Sequence, residues 1–240
     1  MAEQMTEMAV MQQERSCSGT SKTNNLEFEK NGYLKVENLW DAEELYHPVP
    51  KERGMINYHG SIDRFSHTPL ERQVEGSLAR YSHPQYKRIH SGVRKKLEKI
   101  LGNKLYNTYY YDRFYFAGQS LSKHNDRPSC EISVTVHISS NLPVDWPVWI
   151  KTPDTYTDKT KNQILIPGEE RSVILNPGDG MIYKGCERPH WRDVMPTPKP
   201  RKRDWLLRRK PPEYYYHQIF FHYVLSNGIR SHCADDMSRS

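Results

Sequence analysis

Between residues 105 and 225 apolar side chains recur at every second position in short runs, the period of β-strands. Leu105 to Phe116 is aromatic-rich and predicts one long strand or two consecutive ones. Ala117-Gly118-Gln119-Ser120 reads as a turn. Glu131 to Ser139 alternates cleanly, which predicts a half-buried strand with Ile132, Val134, Val136 and Ile138 on its core face. Trp146–Lys151, Gln163–Ile166 and Arg171–Leu175 predict three more strands, the last two joined by a Pro167-Gly168 turn. The turn Pro177-Gly178-Asp179-Gly180 launches a strand over Met181–Lys184, and Tyr214–Leu225 forms the last strong one.

Upstream the pattern differs. Asn31-Gly32 is a turn signal, and Tyr33, Leu34 and Val36 start a strand. Asp41 predicts an N-cap for a short helix over Ala42–Tyr46. Residues 47–68, with Pro48, Pro50, Gly54 and Gly60, predict irregular chain. Two helices are predicted next, over Pro69–Tyr81 and Pro84–Ile100, the second stopped by Gly102. In the second, Ile89, Val93, Leu97 and Ile100 form an apolar stripe opposite a Lys/Arg face read as solvated surface.

Helices first, then at least seven strands joined without helical crossovers, imply antiparallel sheets. The predicted class is mainly β with N-terminal helices (α+β), built as a double-sheet jelly roll, the double-stranded β-helix. Residues 1–25 are expected to be a disordered arm and 26–228 a single domain, with helical support over 38–102 and a jelly-roll core over 105–225. The tail, 229–240, is expected to be loose. Residues 193–212 read as an insertion, with five prolines and a basic run from Lys199 through Lys210 around Trp205. So many prolines keep it out of the sheets.

Composition narrows the class. A length of 240 residues suits one core with room for arms. No run of about 18 apolar residues predicts a membrane helix, and the first residues lack a secretory pattern. Cys17, Cys130, Cys186 and Cys233 are scattered and read as reduced thiols of a cytoplasmic protein, with Cys130 and Cys186 as small apolar groups. The net charge of +6 points only weakly to a polyanionic partner, so nucleic acid is possible but not favoured.

Candidate chemistry centres on Lys123-His124-Asn125-Asp126-Arg127. Side chains two apart at a strand end leave the same face, so His124 and Asp126 can converge on one point. One nitrogen and one oxygen are two thirds of the 2-His-1-carboxylate set that holds non-haem Fe(II). His190, 64 residues past Asp126 and just after a predicted strand, fits the third place. His-x-Asp alone is a weak signal. His137, His217 and His222 are read as hydrogen-bonded core or rim histidines, and Arg127 with Glu131 as a pair that orients Asp126.

Further tracts accompany the triad. Tyr115 lies nine residues before His124, with Ala117-Gly118-Gln119 between. Pro177-Gly178-Asp179 precedes His190, which lies in Tyr183-Lys184-Gly185-Cys186-Glu187-Arg188-Pro189-His190-Trp191-Arg192. The chain closes on Gln218-Ile219-Phe220-Phe221-His222-Tyr223. With these features it resembles the Fe(II)/2-oxoglutarate-dependent oxygenases, closest to the prolyl hydroxylase-like branch and a bacterial and phage-type subgroup of it. The resemblance implies Fe(II) on His124, Asp126 and His190, with 2-oxoglutarate and dioxygen as cosubstrates. It also implies hydroxylation of a carbon in a prolyl residue, another amino-acid residue or a small molecule, with 2-oxoglutarate converted to succinate. One feature departs from the family. Its basic residue about ten past the last His falls here on Pro200, between Lys199 and Arg201. A buried carboxylate needs charge-assisted donors. Arg192 is the first candidate for that role, then Lys151 and Arg127, with the Tyr115 hydroxyl and Gln218 as further cosubstrate contacts. Two other readings stay open: a nucleic-acid-associated oxygenase using the basic insertion, and a catalytically silent binding module.

Overall fold

The computed structural model describes residues 23–157, 164–197 and 213–236. A helix, α1, covers 23–31, and Gly32 closes it in the left-handed region with its N–H on the Phe28 carbonyl at 2.8 Å. Strand β1 (Tyr33–Val36) follows, then the short α2 (Ala42–Leu45), capped by Asp41, whose carboxylate accepts from the Glu43 N–H. Next come β2 (Gly54–Ser61), β3 (Arg64–Thr68) and β4 (Leu78–Tyr81). Helix α3 (Lys87–Leu101) ends at Gly102, with φ at 71°. Its stripe of Ile89, Val93 and Leu97 is buried, as the spacing predicts.

The remaining strands are β5 (Leu105–Phe116), β6 (Leu121–His124), β7 (Ile132–Ser140), β8 (Val148–Lys151), β9 (Thr155–Tyr156), β10 (Leu165–Ile166), β11 (Glu170–Val173), β12 (Gly180–Tyr183), β13 (His190–Arg192) and β14 (Tyr215–Leu225). They form an eight-stranded sheet, β1-β12-β7-β14-β5-β4-β2-β3, and a four-stranded sheet, β11-β8-β13-β6. The chain crosses repeatedly between these sheets from β5 to β14, which makes the core a double-stranded β-helix. All its strand pairs are antiparallel, and the parallel pair β2–β4 lies outside it. Helix α3 packs on the outer face of the large sheet, against Tyr110, Val134, Val136, Ile219 and Phe221.

Four expectations need correction. Pro69–Tyr81 is no helix: it is a bent segment ending in β4, whose Leu78, Ala79 and Arg80 are buried between β2 and β5. Sheet pairing there overrides local helix propensity. Residues 47–68 contain the hairpin β2–β3, so the support over 38–102 is mixed, three strands beside α2 and α3. Strand β7 is buried on both faces, because Ser133, Thr135 and His137 point into the barrel. The tail is docked through residue 236, with the Asp235 N–H on the Asn107 carbonyl and Asp236 paired with Arg127. Residues 1–22, 158–163, 198–212 and 237–240 lie outside the described residues, and with them most of the predicted arm, Cys17 and the basic run around Trp205. Among the described residues no helix is long and apolar enough to cross a membrane, and Cys130, Cys186 and Cys233 form no disulfide.

Candidate metal centre

Strands β6 and β13 run antiparallel, and His124 lies directly opposite His190. Asp126 follows the end of β6, its backbone N–H held by the Gly185 carbonyl at 2.9 Å. One coordinating atom from each of His124, Asp126 and His190 lies within 4.8 Å of the other two. Both imidazole Nε2 atoms are 3.5 Å from Asp126 Oδ1. The back of each group is tied. His124 Nδ1 lies 2.7 Å from the Ser122 carbonyl, and His190 Nδ1 3.0 Å from the Arg188 carbonyl. Carbonyls only accept, so each Nδ1 carries the hydrogen and each neutral ring turns a lone pair toward Asp126. Asp126 Oδ2 accepts from Ser133 Oγ at 3.0 Å, leaving Oδ1 for the centre.

Three acceptors thus face one another without a donor between them, an arrangement that calls for a cation. Titration agrees. Burial pushes the Asp126 carboxyl up, but the two imidazoles facing it outweigh burial by favouring its charged form and hold it well below the carboxylate range. Burial lowers His124, but the Asp126 carboxylate and Ser122 carbonyl raise it overall. A proton serves as the cation when nothing else does, and a divalent metal would displace it.

His124 and Asp126 open on a cavity of ≈ 580 Å³ lined also by Met55, Arg72, Gln73, Tyr109, Tyr111 and Arg127, among others. Behind it lies a polar barrel interior. Across the large sheet Gln218 sits opposite Arg113 on one side and His137 on the other. Arg192, fully buried, donates to Gln218 Oε1 at 2.7 Å and to the Trp146 carbonyl, between the rings of Trp146 and Tyr216. Among the described residues no carboxylate pairs with it. Arg192 Nε, Arg113 Nε, Thr135 Oγ1 and His137 Nε2 are buried without a hydrogen-bond partner.

The structure brings His124, Asp126 and His190 together and places Arg192, Gln218 and Tyr115 in the buried interior. The Tyr115 hydroxyl accepts from Arg113 Nη1 at 3.4 Å. Lys151 is not part of this group. It shares the outward face of β8 with Trp149 and pairs with Asp154 at 3.0 Å. Arg127 lines the cavity, but it stacks on Tyr109 and pairs with Asp236. Glu131 pairs with Arg230, not with Arg127, so it does not orient Asp126. That task falls to Ser133 and Gly185, which the sequence reading missed. A Cβ on Gly185 would strike both Ser133 Oγ and Asp126 Oδ2, so glycine alone fits. Cys130 is buried as expected, and half-buried Cys186 donates to the Arg127 carbonyl. His137, His217 and His222 each have a hydrogen bond in the core, as read from the sequence.

The sequence matches no family model and no curated protein. Solved structures resemble the fold. The non-haem alpha-ketoglutarate-dependent epimerase SnoN from nogalamycin biosynthesis superposes with a TM-score of 0.52 at 12% identity, over 85% of this chain and 84% of that one. The fold is that of the Fe(II)/2-oxoglutarate oxygenases. A complex of SnoN with Fe3+, alpha ketoglutarate and nogalamycin RO gives 0.51 at the same identity. A Pseudomonas putida prolyl-4-hydroxylase, 12% identical, gives 0.48 over 86% of this chain and 98% of that one.

Proposed function

We propose that the chain is an Fe(II)- and 2-oxoglutarate-dependent oxygenase that hydroxylates a carbon of a peptide residue or small molecule. The observation that carries this reading is the convergence of His124 Nε2, His190 Nε2 and Asp126 Oδ1 with no donor among them. Two imidazoles and one carboxylate suit Fe(II) and leave positions open for other ligands. When bound, the metal and 2-oxoglutarate supply an oxidation by dioxygen that ends in succinate, carbon dioxide and a hydroxylated product.

The chain's own residues do the rest. Ser122, Arg188 and Ser133 fix the ligating atoms by holding the far side of each group. Arg192 offers a buried permanent cation with neutral neighbours, suited to the distal carboxylate of 2-oxoglutarate. Gln218 orients its guanidinium. The unpartnered atoms of Arg113, Thr135 and His137 supply a polar lining, and Trp146 and Tyr216 keep water away from Arg192. With Arg192 in this place, the missing basic residue at position 200 does not argue for a silent binding module.

Anaerobic titration of metal-free protein with Fe(II) and 2-oxoglutarate tests the reading. A weak visible charge-transfer band is expected in the wild type and none in His124→Ala. If saturating ligands give the wild type no band, the proposal is wrong.

A further inference from the structure

Residues 69–77, between β3 and β4, form a strap across the mouth of the barrel beside the triad. Arg72 and Gln73 are exposed, yet Glu71 before them and Val74 after them are buried. The Glu71 carboxylate reaches into the barrel, 3.4 Å from Arg113 Nη2, and turns back to accept from the Gln73 N–H at 2.9 Å. Val74 packs with Tyr115, Leu121, Trp146 and Tyr216. The Glu75 carbonyl accepts from Gln119 Nε2 at 3.0 Å, and the Ser77 carbonyl from the Gly54 N–H at 2.8 Å. The strap is therefore pinned on both sides of Gln73.

The Gln73 side chain is held in a particular place. Its Nε2 lies 3.3 Å from His124 Nε2. His124 Nδ1 already carries its hydrogen for the Ser122 carbonyl, so Nε2 accepts and the Gln73 amide donates. That lone pair is one of the three that face the centre. A metal taking it would leave the amide donor next to the metal, in the cavity that Gln73 lines with Arg72 and Tyr111.

We propose that Gln73 is a fourth functional residue of the centre. Its amide donates to the exogenous ligand that enters beside His124 once a metal is bound, and Glu71–Arg113 with Val74 are the positioning contacts that hold it there. This rests on the metal-centre reading and adds a residue that neither the triad nor the fold implies. The amide is a donor of fixed position, so the centre should favour ligands that present an anionic or carbonyl-type acceptor on that side.

The test uses full-length protein, Co(II) as the metal and azide as the entering anion, both read by visible absorption. Gln73 is exposed, so its substitution leaves the core intact. Wild type should bind Co(II) and then azide. Gln73→Ala should bind Co(II) at least as well and azide about tenfold more weakly, the worth of one hydrogen bond to a charged group. Gln73→Glu should bind Co(II) more tightly, by adding a carboxylate, and azide more weakly still, because it repels the anion. Unchanged azide affinity in both variants, with Co(II) bound normally, overturns the proposal. So does a parallel loss of Co(II) and azide affinity in Gln73→Ala, which would mean that the side chain only supports the strap. Failure of the wild type to bind Co(II) removes the metal-centre reading itself, a separate result.

Discussion

Arg80 and Arg192 are equally buried, each about 1% exposed, and they are held in opposite ways. Arg80 lies on the outer, helix-facing side of the large sheet. Its Nε and Nη2 reach Asp112 Oδ2 at 3.0 and 2.6 Å, and Asp112 also accepts from His217 at 2.7 Å. Burial pushes the Asp112 carboxyl up, but Arg80 and His217 bring it down to about 2. That cation is neutralised in place and ties β4, β5 and β14 together. Arg192 faces the barrel interior and, among the described residues, donates only to neutral acceptors, the Trp146 carbonyl and Gln218 Oε1. A buried charge without a counter-charge is costly unless something arrives to pair with it. The contrast separates a cation that holds the fold from one that waits for an anion.

Breaking the outer pair should have the largest effect. Asp112→Ala leaves Arg80 buried and unpaired and should cost roughly 3–5 kcal/mol of stability, read from denaturant midpoints. The folded fraction should still bind 2-oxoglutarate as the wild type does. A loss below about 1 kcal/mol would mean that water or a rearranged neighbour compensates Arg80, and the contrast would collapse.

Arg192→Met should do the reverse. It removes an uncompensated charge while orphaning two acceptors, so stability should move by less than about 1.5 kcal/mol either way. Affinity for 2-oxoglutarate, measured by anaerobic titration with Fe(II), should fall about a hundredfold, the worth of two charge-assisted hydrogen bonds. Unchanged affinity would move the carboxylate anchor to Arg113, the other buried arginine of the interior, which Glu71 already attends.

How far the sequence reveals these two regions follows from which interactions are local. Most strands from β5 to β14 are legible because two-residue alternation is a local signal, and the same period puts His124 and Asp126 on one face, whereas β9 and β13, of two and three residues, are too short to show it. His190 needs only a strand end opposite. Arg192 is legible by its place two residues past His190. The hairpin β2–β3 and strand β4 are hidden, since Gly54, Gly60 and Gly76 break any regular pattern and the strands are fixed by pairing with β5. The buried polar face of β7 is hidden too. Alternation marks Ile132, Val134 and Val136 as core but says nothing of what covers Ser133, Thr135 and His137. Glu71 and Arg113 are some forty residues apart and meet only once the strap is laid over the barrel.

The smallest effect distinguishes the two faces by proton linkage. His137, on the interior face, is lowered to about 4, by burial first and with the Arg192 charge adding to it, against the Leu175 carbonyl, which raises it. Its unfolded value is near 6.5. Between those values the unfolded chain binds a proton there that the folded chain refuses, so stability falls as pH drops from about 6.5 toward 4. One such histidine contributes at most about 1.4 kcal/mol per pH unit of slope. His137→Phe keeps the ring that stacks on Tyr216 at 4.1 Å and removes the proton site. Denaturant midpoints measured from pH 4.5 to 7 should lose that increment of acid sensitivity in the variant. His217, on the outer face, is also lowered to about 4, but Asp112 pulls against its burial there. Removing Asp112 should therefore lower His217 further and steepen the acid limb, whereas Arg192→Met, which takes a positive charge away from His137, should make it shallower. Opposite changes in slope from the two substitutions would tie His217 to Asp112 and His137 to Arg192. A common change would mean that burial alone sets both.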